Sequence, residues 1–128
     1  EQHILRRPVI YASKHQSAWD VFMLLALLPV PVFILKKELL SIPFTGWYMR
    51  RYGIVAVDRS RGASAMKRML EHAKAALHAR RPLAIFPEGT RTAPGERRRY
   101  HPGVAALYDR LMVPVVPVAL NSGQVWGR

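Results

Sequence analysis

Cysteine is missing from the 128-residue chain. Its absence excludes disulfides and cysteine metal sites, and any covalent intermediate would have to use another nucleophile. Acidic residues are few, eight Asp and Glu against twenty Lys and Arg. The formal charge of +12 predicts attraction to anionic partners, whether phosphate-bearing substrates, lipid headgroups or nucleic acid. Long apolar runs are also missing. The most apolar stretch, VFMLLALLPVPVFIL at 21–35, is shorter than a membrane span and is broken by Pro29 and Pro31, so it does not read as a transmembrane helix. There is no GxSxG nucleophile turn, no HExxH, no Walker GxxxxGKS/T loop and no GxGxxG after a strand. Esterase, zinc-protease, P-loop and Rossmann readings thereby lose their main support.

What is present reads as one core domain over residues 1–128: half the residues are hydrophobic, and no repeat, linker or low-complexity segment interrupts the chain. The chain opens at Glu1 without Met and ends in NSGQVWGR. Both features fit a core excised from a longer protein.

Apolar patterning predicts a short buried strand at 8–13, a helix at 17–28 that stops before Pro29, and a strand at 31–36. A short helix and turn are expected within 38–50, then a third strand at 54–58. Between 63 and 79 the apolar positions Met66, Met69, Leu70, Ala73 and Leu77 fall three and four apart, which predicts an amphipathic helix against a sheet. A fourth strand at 82–86, a loop to about 102, a helix at 103–111 and a final strand within VPVVPVAL complete the order. Strands alternating with helices imply parallel crossover units, hence an α/β fold with an open, mostly parallel sheet and flanking helices. Ligands gather at the carboxyl ends of such strands, and His15, Lys36, Arg59 and Glu88 each follow one of them.

Two motifs carry most of the chemistry. In KHQSAWD, 14–20, Ser17 and Asp20 suit a helix start with a capping box whose acid is short. The same Asp20 can reach back to one ring nitrogen of His15, leaving the other to take a proton from a substrate hydroxyl. The two readings are compatible. In FPEGTR, 86–91, Pro87 and Gly89 need only mean a turn. Function asks more of it: Glu88 accepting from a substrate hydroxyl, the Gly89 and Thr90 amides facing an anion or oxyanion, and Arg91 either gripping a phosphate or pairing with Glu88. Lys36, Lys37, Arg59 and Arg61 read either as plain surface cations or, for Lys36 and Arg59, as phosphate contacts. The cluster IPFTGWYM, 42–49, fits core and lipid-facing surface equally, and RRRYH, 97–101, reads as a solvated loop or a holder of anions.

Taken in order, KHQSAWD, AVDRS, FPEGTR and VPVVPVAL resemble the four blocks of the glycerolipid acyltransferases, and within them the lysophosphatidic acid acyltransferases. The resemblance covers nearly the whole chain. It implies His15 as general base with Asp20 orienting it, Arg59 and Lys36 on the acceptor phosphate, and Glu88, Gly89 and Arg91 shaping the acceptor site. Pro114 and Pro117 fall in the fourth block, near the acyl donor or purely structural. Two departures stand out: Lys14 where many members have Asn, and His101 where Lys commonly precedes the Gly. The implied reaction moves a fatty acyl group from acyl-CoA or acyl carrier protein to the sn-2 hydroxyl of lysophosphatidic acid, giving phosphatidic acid. It needs no cysteine, metal or cofactor, because a thioester is already activated. The implied setting is an anionic membrane surface, at the cytoplasmic face of a bacterial inner membrane. Rival readings are another acceptor, such as glycerol 3-phosphate, a lysophospholipid or an ornithine lipid, and a non-catalytic basic module docking on membrane. Nucleic acid is not an expected partner, since no recognisable motif for it is present.

Overall fold

Among the described residues, five parallel strands form one open sheet, and every apolar run assigned as a strand is one of them: β1 (Ile10–Ser13), β2 (Val32–Lys36), β3 (Val55–Val57), β4 (Leu83–Ile85) and β5 (Val115–Val118). The structure is a computed structural model describing residues 7–58, 60 and 62–126; Arg59 and Arg61 lie outside the described residues. The spatial order is β3-β2-β4-β1-β5, so β4 enters between two strands that precede it in the chain.

Neighbouring residues on a strand point to opposite faces, and both faces here are covered, which is why the strands read as continuous apolar runs. On one face Ile10, Val32, Ile34, Leu83 and Ile85 pack with Met69, Ala73, Ala76 and Leu77 of α3 (Gly62–His78) and Leu107 of α4 (Gly103–Leu111). On the other, Val9, Tyr11, Phe33, Ala84 and Phe86 pack with Leu24 of α1 (Trp19–Leu27) and with Leu28 just past its end. Leu28 has left the helix, with φ −97° and ψ 143°, as the residue before a proline prefers. The segment 38–50 forms a 3-10 turn at Lys37–Ser41 and then α2 (Thr45–Tyr52). β5 is shorter than VPVVPVAL suggested. It lies at an edge of the sheet, where Pro117, lacking an N–H, costs the ladder least.

The capping box expected at the start of α1 forms only in its acidic half, the Asp20 carboxylate on the Ser17 amide. The residue before the helix is Ala18, and among the described residues no side chain caps its first turn. Asp20 instead reaches backwards, accepting from the amides of Gln16 at 2.7 Å and Ser17 at 3.0 Å. The carboxylate therefore fixes the loop ahead of the helix rather than the first turn being closed by Ser17. Among the described residues, no helix is long and apolar enough to cross a membrane.

Candidate active site

The loop after β1 and the turn after β4 meet because their strands are hydrogen-bonded neighbours in register, Ala12 beside Ile85. His15 is held from both sides by this meeting. Its N–H donates to Glu88 Oε2 at 2.9 Å, and its carbonyl accepts from the amide of Thr92 at 2.8 Å and the Thr92 hydroxyl at 3.1 Å. The imidazole stacks on Phe86 with centroids 4.0 Å apart and planes at 21°. Backbone and ring are both placed, so the side chain has little freedom left.

Nδ1 of His15 lies 3.1 Å from Asp20 Oδ2. A carboxylate only accepts, so Nδ1 carries the proton and Nε2 keeps its lone pair toward the cleft that His15 lines. Asp20 is 1% exposed, and Ser122 donates to its other oxygen. Burial pushes the Asp20 carboxyl up, but the donors Ser122, Ser17, Gln16 and His15 outweigh it and hold the group below its ordinary range. Burial dominates at His15 and lowers it from 6.5, against the raising influence of Asp20 and with help from Arg91. The ring is thus neutral near pH 7, with a buried anion ready to stabilise the imidazolium it becomes on taking a proton.

The cleft has a volume of about 480 Å³. Ile34, Leu39, Val57, Met66, Met69 and Ile85 supply an apolar wall, while His15, Lys36, Arg91 and His101 line it with polar and cationic groups. An apolar wall next to cations suits an amphiphile with an anionic head. Lys36, Gly89, Thr90 and Arg91 line this cleft. Arg59 lies outside the described residues.

Two sequence expectations change here. Glu88 does not face the cleft: its side chain is 1% exposed, Lys14 Nζ and the His15 amide donate to it, and the Thr92 hydroxyl, 3.1 Å away, shares its one proton between this carboxylate and the His15 carbonyl. A carboxylate so occupied acts as a strut under His15. Buried away from the cleft lining, it does not meet a substrate hydroxyl, and Lys14 rather than Arg91 is its cation. The Gly89 amide likewise does not point at an oxyanion, because it donates to the Phe86 carbonyl at 2.9 Å to close the turn. Gly89 serves by its backbone: φ is +65°, a conformation that side chains other than glycine adopt only with strain.

Sequence reasoning missed Thr92, Phe86, Gln16 and Ser122 as members of the site. Gln16 accepts from the Gly123 amide at 3.1 Å through Oε1, and Ser122 lies 102 residues from Asp20. Nothing local marks either residue. Among the described residues, no group of three His, Asp or Glu is placed to hold a metal ion.

The profile of the family described as Acyltransferase matches residues 1–121. The chain belongs to the acyltransferase family. Similar relatives include the 1-acyl-sn-glycerol-3-phosphate acyltransferase of Pseudomonas aeruginosa, 36% identical over 125 residues that make up 98% of this chain and 49% of its own. The enzyme of the same name from Saccharomyces cerevisiae is 31% identical over 125 residues, 95% of this chain and 41% of its own. The acyltransferase fold here also superimposes on the crystal structure of the 1-acyl-sn-glycerophosphate acyltransferase of Thermotoga maritima, with a TM-score of 0.67 and 29% identity. That match covers 88% of this acyltransferase and 44% of the other chain. The chain spans less than half the length of each of these three relatives.

Proposed function

We propose that this acyltransferase moves a fatty acyl group from a thioester donor, acyl-CoA or acyl carrier protein, to the sn-2 hydroxyl of lysophosphatidic acid, giving phosphatidic acid. The observation that carries the reading is the His15–Asp20 pair, whose histidine lines a largely apolar cleft that Lys36 and Arg91 also line. The names of the similar relatives support lysophosphatidic acid as the acceptor.

In the reaction, Nε2 of neutral His15 takes the proton of the acceptor hydroxyl as its oxygen bonds to the thioester carbonyl carbon. Asp20 stabilises the resulting imidazolium across 3.1 Å. The tetrahedral intermediate collapses with cleavage of the carbon–sulfur bond, and the imidazolium returns its proton to the departing thiolate. Ester and free thiol form, no residue is acylated, and no cofactor is consumed. That course agrees with a chain that has no cysteine. Lys36 and Arg91, with Arg59, bind the acceptor phosphate, and the Ile34–Leu39–Met66–Met69 wall takes an acyl chain. The acceptor is a membrane lipid, so the enzyme works at an anionic membrane surface, at the cytoplasmic face of a bacterial inner membrane.

Turnover of lysophosphatidic acid with each donor tests the proposal. A folded His15→Ala variant should lose about 10²- to 10⁴-fold in kcat/KM, the usual contribution of a general base. Wild-type turnover in that variant would rule out His15 as the base. Glycerol 3-phosphate, a lysophospholipid and an ornithine lipid as competing acceptors in the same assay identify the preferred one.

A further inference from the structure

The unit from the 3-10 turn at Lys37–Ser41 through α2 sits at an edge of the sheet, between β2 and the edge strand β3. Helices usually form because a packed apolar stripe offsets the cost of ordering them. Here the apolar side chains face out: Ile42 is 47% exposed, Phe44 90%, Trp47 69% and Tyr48 53%. Phe44, Trp47 and Tyr48 stand three and four apart, on one side of the helix.

The unit is nevertheless firmly held. Gly46 approaches the turn so closely that an added Cβ would stand 2.1 Å from the Leu40 carbonyl oxygen. Arg81 donates to the Tyr52 carbonyl at 2.7 Å and lies over the Tyr52 ring at 5.7 Å. Phe44 adopts φ +59°, a strained conformation for a bulky residue, and presents its ring to solvent. Folding alone gives no reason for phenylalanine there. Exposed Arg50 and Arg51 occupy the last turn of α2, exposed Lys36 stands at the root of the unit beside Lys37, which pairs with Asp58 at 3.2 Å, and Leu39 and Lys36 line the cleft.

We infer that residues Ile42 to Arg51 are a docking surface for an anionic bilayer, with the aromatic rings entering the interfacial layer and the cations meeting lipid phosphates. Docking there brings the Leu39 and Lys36 side of the cleft to the lipid surface. The inference rests on the reading that the acceptor is a membrane lipid, and it goes further by naming the face that meets the membrane. A second exposed apolar face, formed by Trp19, Phe22 and Leu27 of α1 with Trp126, differs in one respect: no Lys or Arg occurs from 15 to 35. Charge complementarity therefore selects the α2 face.

The test is co-sedimentation of the purified protein with phosphatidylcholine vesicles, with and without phosphatidylglycerol, alongside turnover on short-chain lysophosphatidic acid dispersed as monomers. Wild type should bind the anionic vesicles in a salt-sensitive way. F44S/W47S should lose about tenfold or more of that partitioning, R50Q/R51Q should lose the preference for anionic lipid, and F22S on α1 should leave binding unchanged. Turnover of the dispersed acceptor by F44S/W47S should stay within about twofold of wild type. F44G should weaken vesicle binding while holding or raising Tm, because glycine removes the strain at that position. Unchanged partitioning in F44S/W47S, loss of binding in F22S alone, or a dimer abolished by F44S/W47S without change in vesicle binding would each overturn the inference. Wild type that turns over dispersed acceptor but binds no vesicle also refutes docking and leaves the catalytic reading standing. Aromatic-dependent binding without turnover upholds docking and refutes the catalytic reading.

Discussion

Replacing Asp20 by asparagine separates the charge of the carboxylate from its hydrogen bonds. Oδ2 accepts from the Gln16 and Ser17 amides at 2.7 and 3.0 Å and faces His15 Nδ1 at 3.1 Å. Oδ1 meets the hydroxyls of Ser122 and, at 3.4 Å, Ser17. Backbone amides can only donate, so the Asn oxygen must take the Oδ2 position and its NH2 the Oδ1 position, where two hydroxyls can rotate to accept. His15 therefore keeps Nδ1–H and an Nε2 lone pair. An exchange that elsewhere imposes the wrong tautomer should here remove little but charge. A hydrogen bond to a charged group contributes about 1.5–3 kcal/mol and a neutral one about 0.5–1.5, so the imidazolium loses about 1–2 kcal/mol. That is about 5- to 30-fold in kcat/KM. The ceiling is the full Coulomb attraction of about 5 kcal/mol at an effective dielectric of 20, roughly 10³- to 10⁴-fold. Asp20→Ala should fall well below D20N, because it also strips buried donors of their acceptor at about 1–3 kcal/mol each. The assay is kcat/KM against pH for both folded variants. Asp20 raises the His15 pKa against burial, so D20N should move the acid limb to lower pH. A D20N enzyme as inactive as D20A, or an acid limb that moves up, would refute the bonding pattern deduced for Asp20.

Other consequences are smaller but separable. Arg91→Ala should raise KM for the acceptor about tenfold, more than it lowers kcat. Because Arg91 depresses His15, its loss should move the acid limb to higher pH, opposite to D20N. Lys14→Met leaves the buried Glu88 carboxylate without its cation. The cost to the urea-unfolding free energy should be about 2–3 kcal/mol, below the roughly 3–5 of a fully buried pair because the Lys14 side chain is 26% exposed, and K14M/E88Q should recover much of it. Stability should fall as pH drops below 6.5, where the unfolded chain protonates its histidine while buried His15 resists. It should fall further through the depressed pKa of Asp20. Urea midpoints from pH 8 to 3 check this, and His15→Gln should flatten the upper part of the profile.

The elements of the fold were largely legible because their signals are local. The 3.6-residue spacing of Met66, Met69, Leu70, Ala73 and Leu77 marks α3, and Pro29 marks the end of α1. The strands were visible as apolar runs, but nothing in PLAIF says that it enters between PVIYAS and PVFILK. Strand order depends on which apolar faces match across the sheet. At the site, the ring partnership of His15 with Asp20 followed from a five-residue separation that a loop and one helical turn can close. The roles of Glu88 and Gly89 did not follow. Both stand at the expected edge, but a carboxylate or an amide there can face substrate or protein, and only its neighbours decide.

The sequence by itself determined the α/β alternation, the edge at which the ionisable residues collect, and the His15–Asp20 pairing. Each rests on residue identity over a few positions, where side-chain periodicity, proline and short chain separations constrain the answer. Tertiary structure alone decided that Glu88 turns away from the cleft to hold Lys14 and the backbone of His15, 73 residues away, and that Ser122 completes the shell of Asp20. The physical reason is that a buried polar group must find a partner but does not specify which one. The choice falls to whichever donor the strand order β3-β2-β4-β1-β5 brings within about 3 Å.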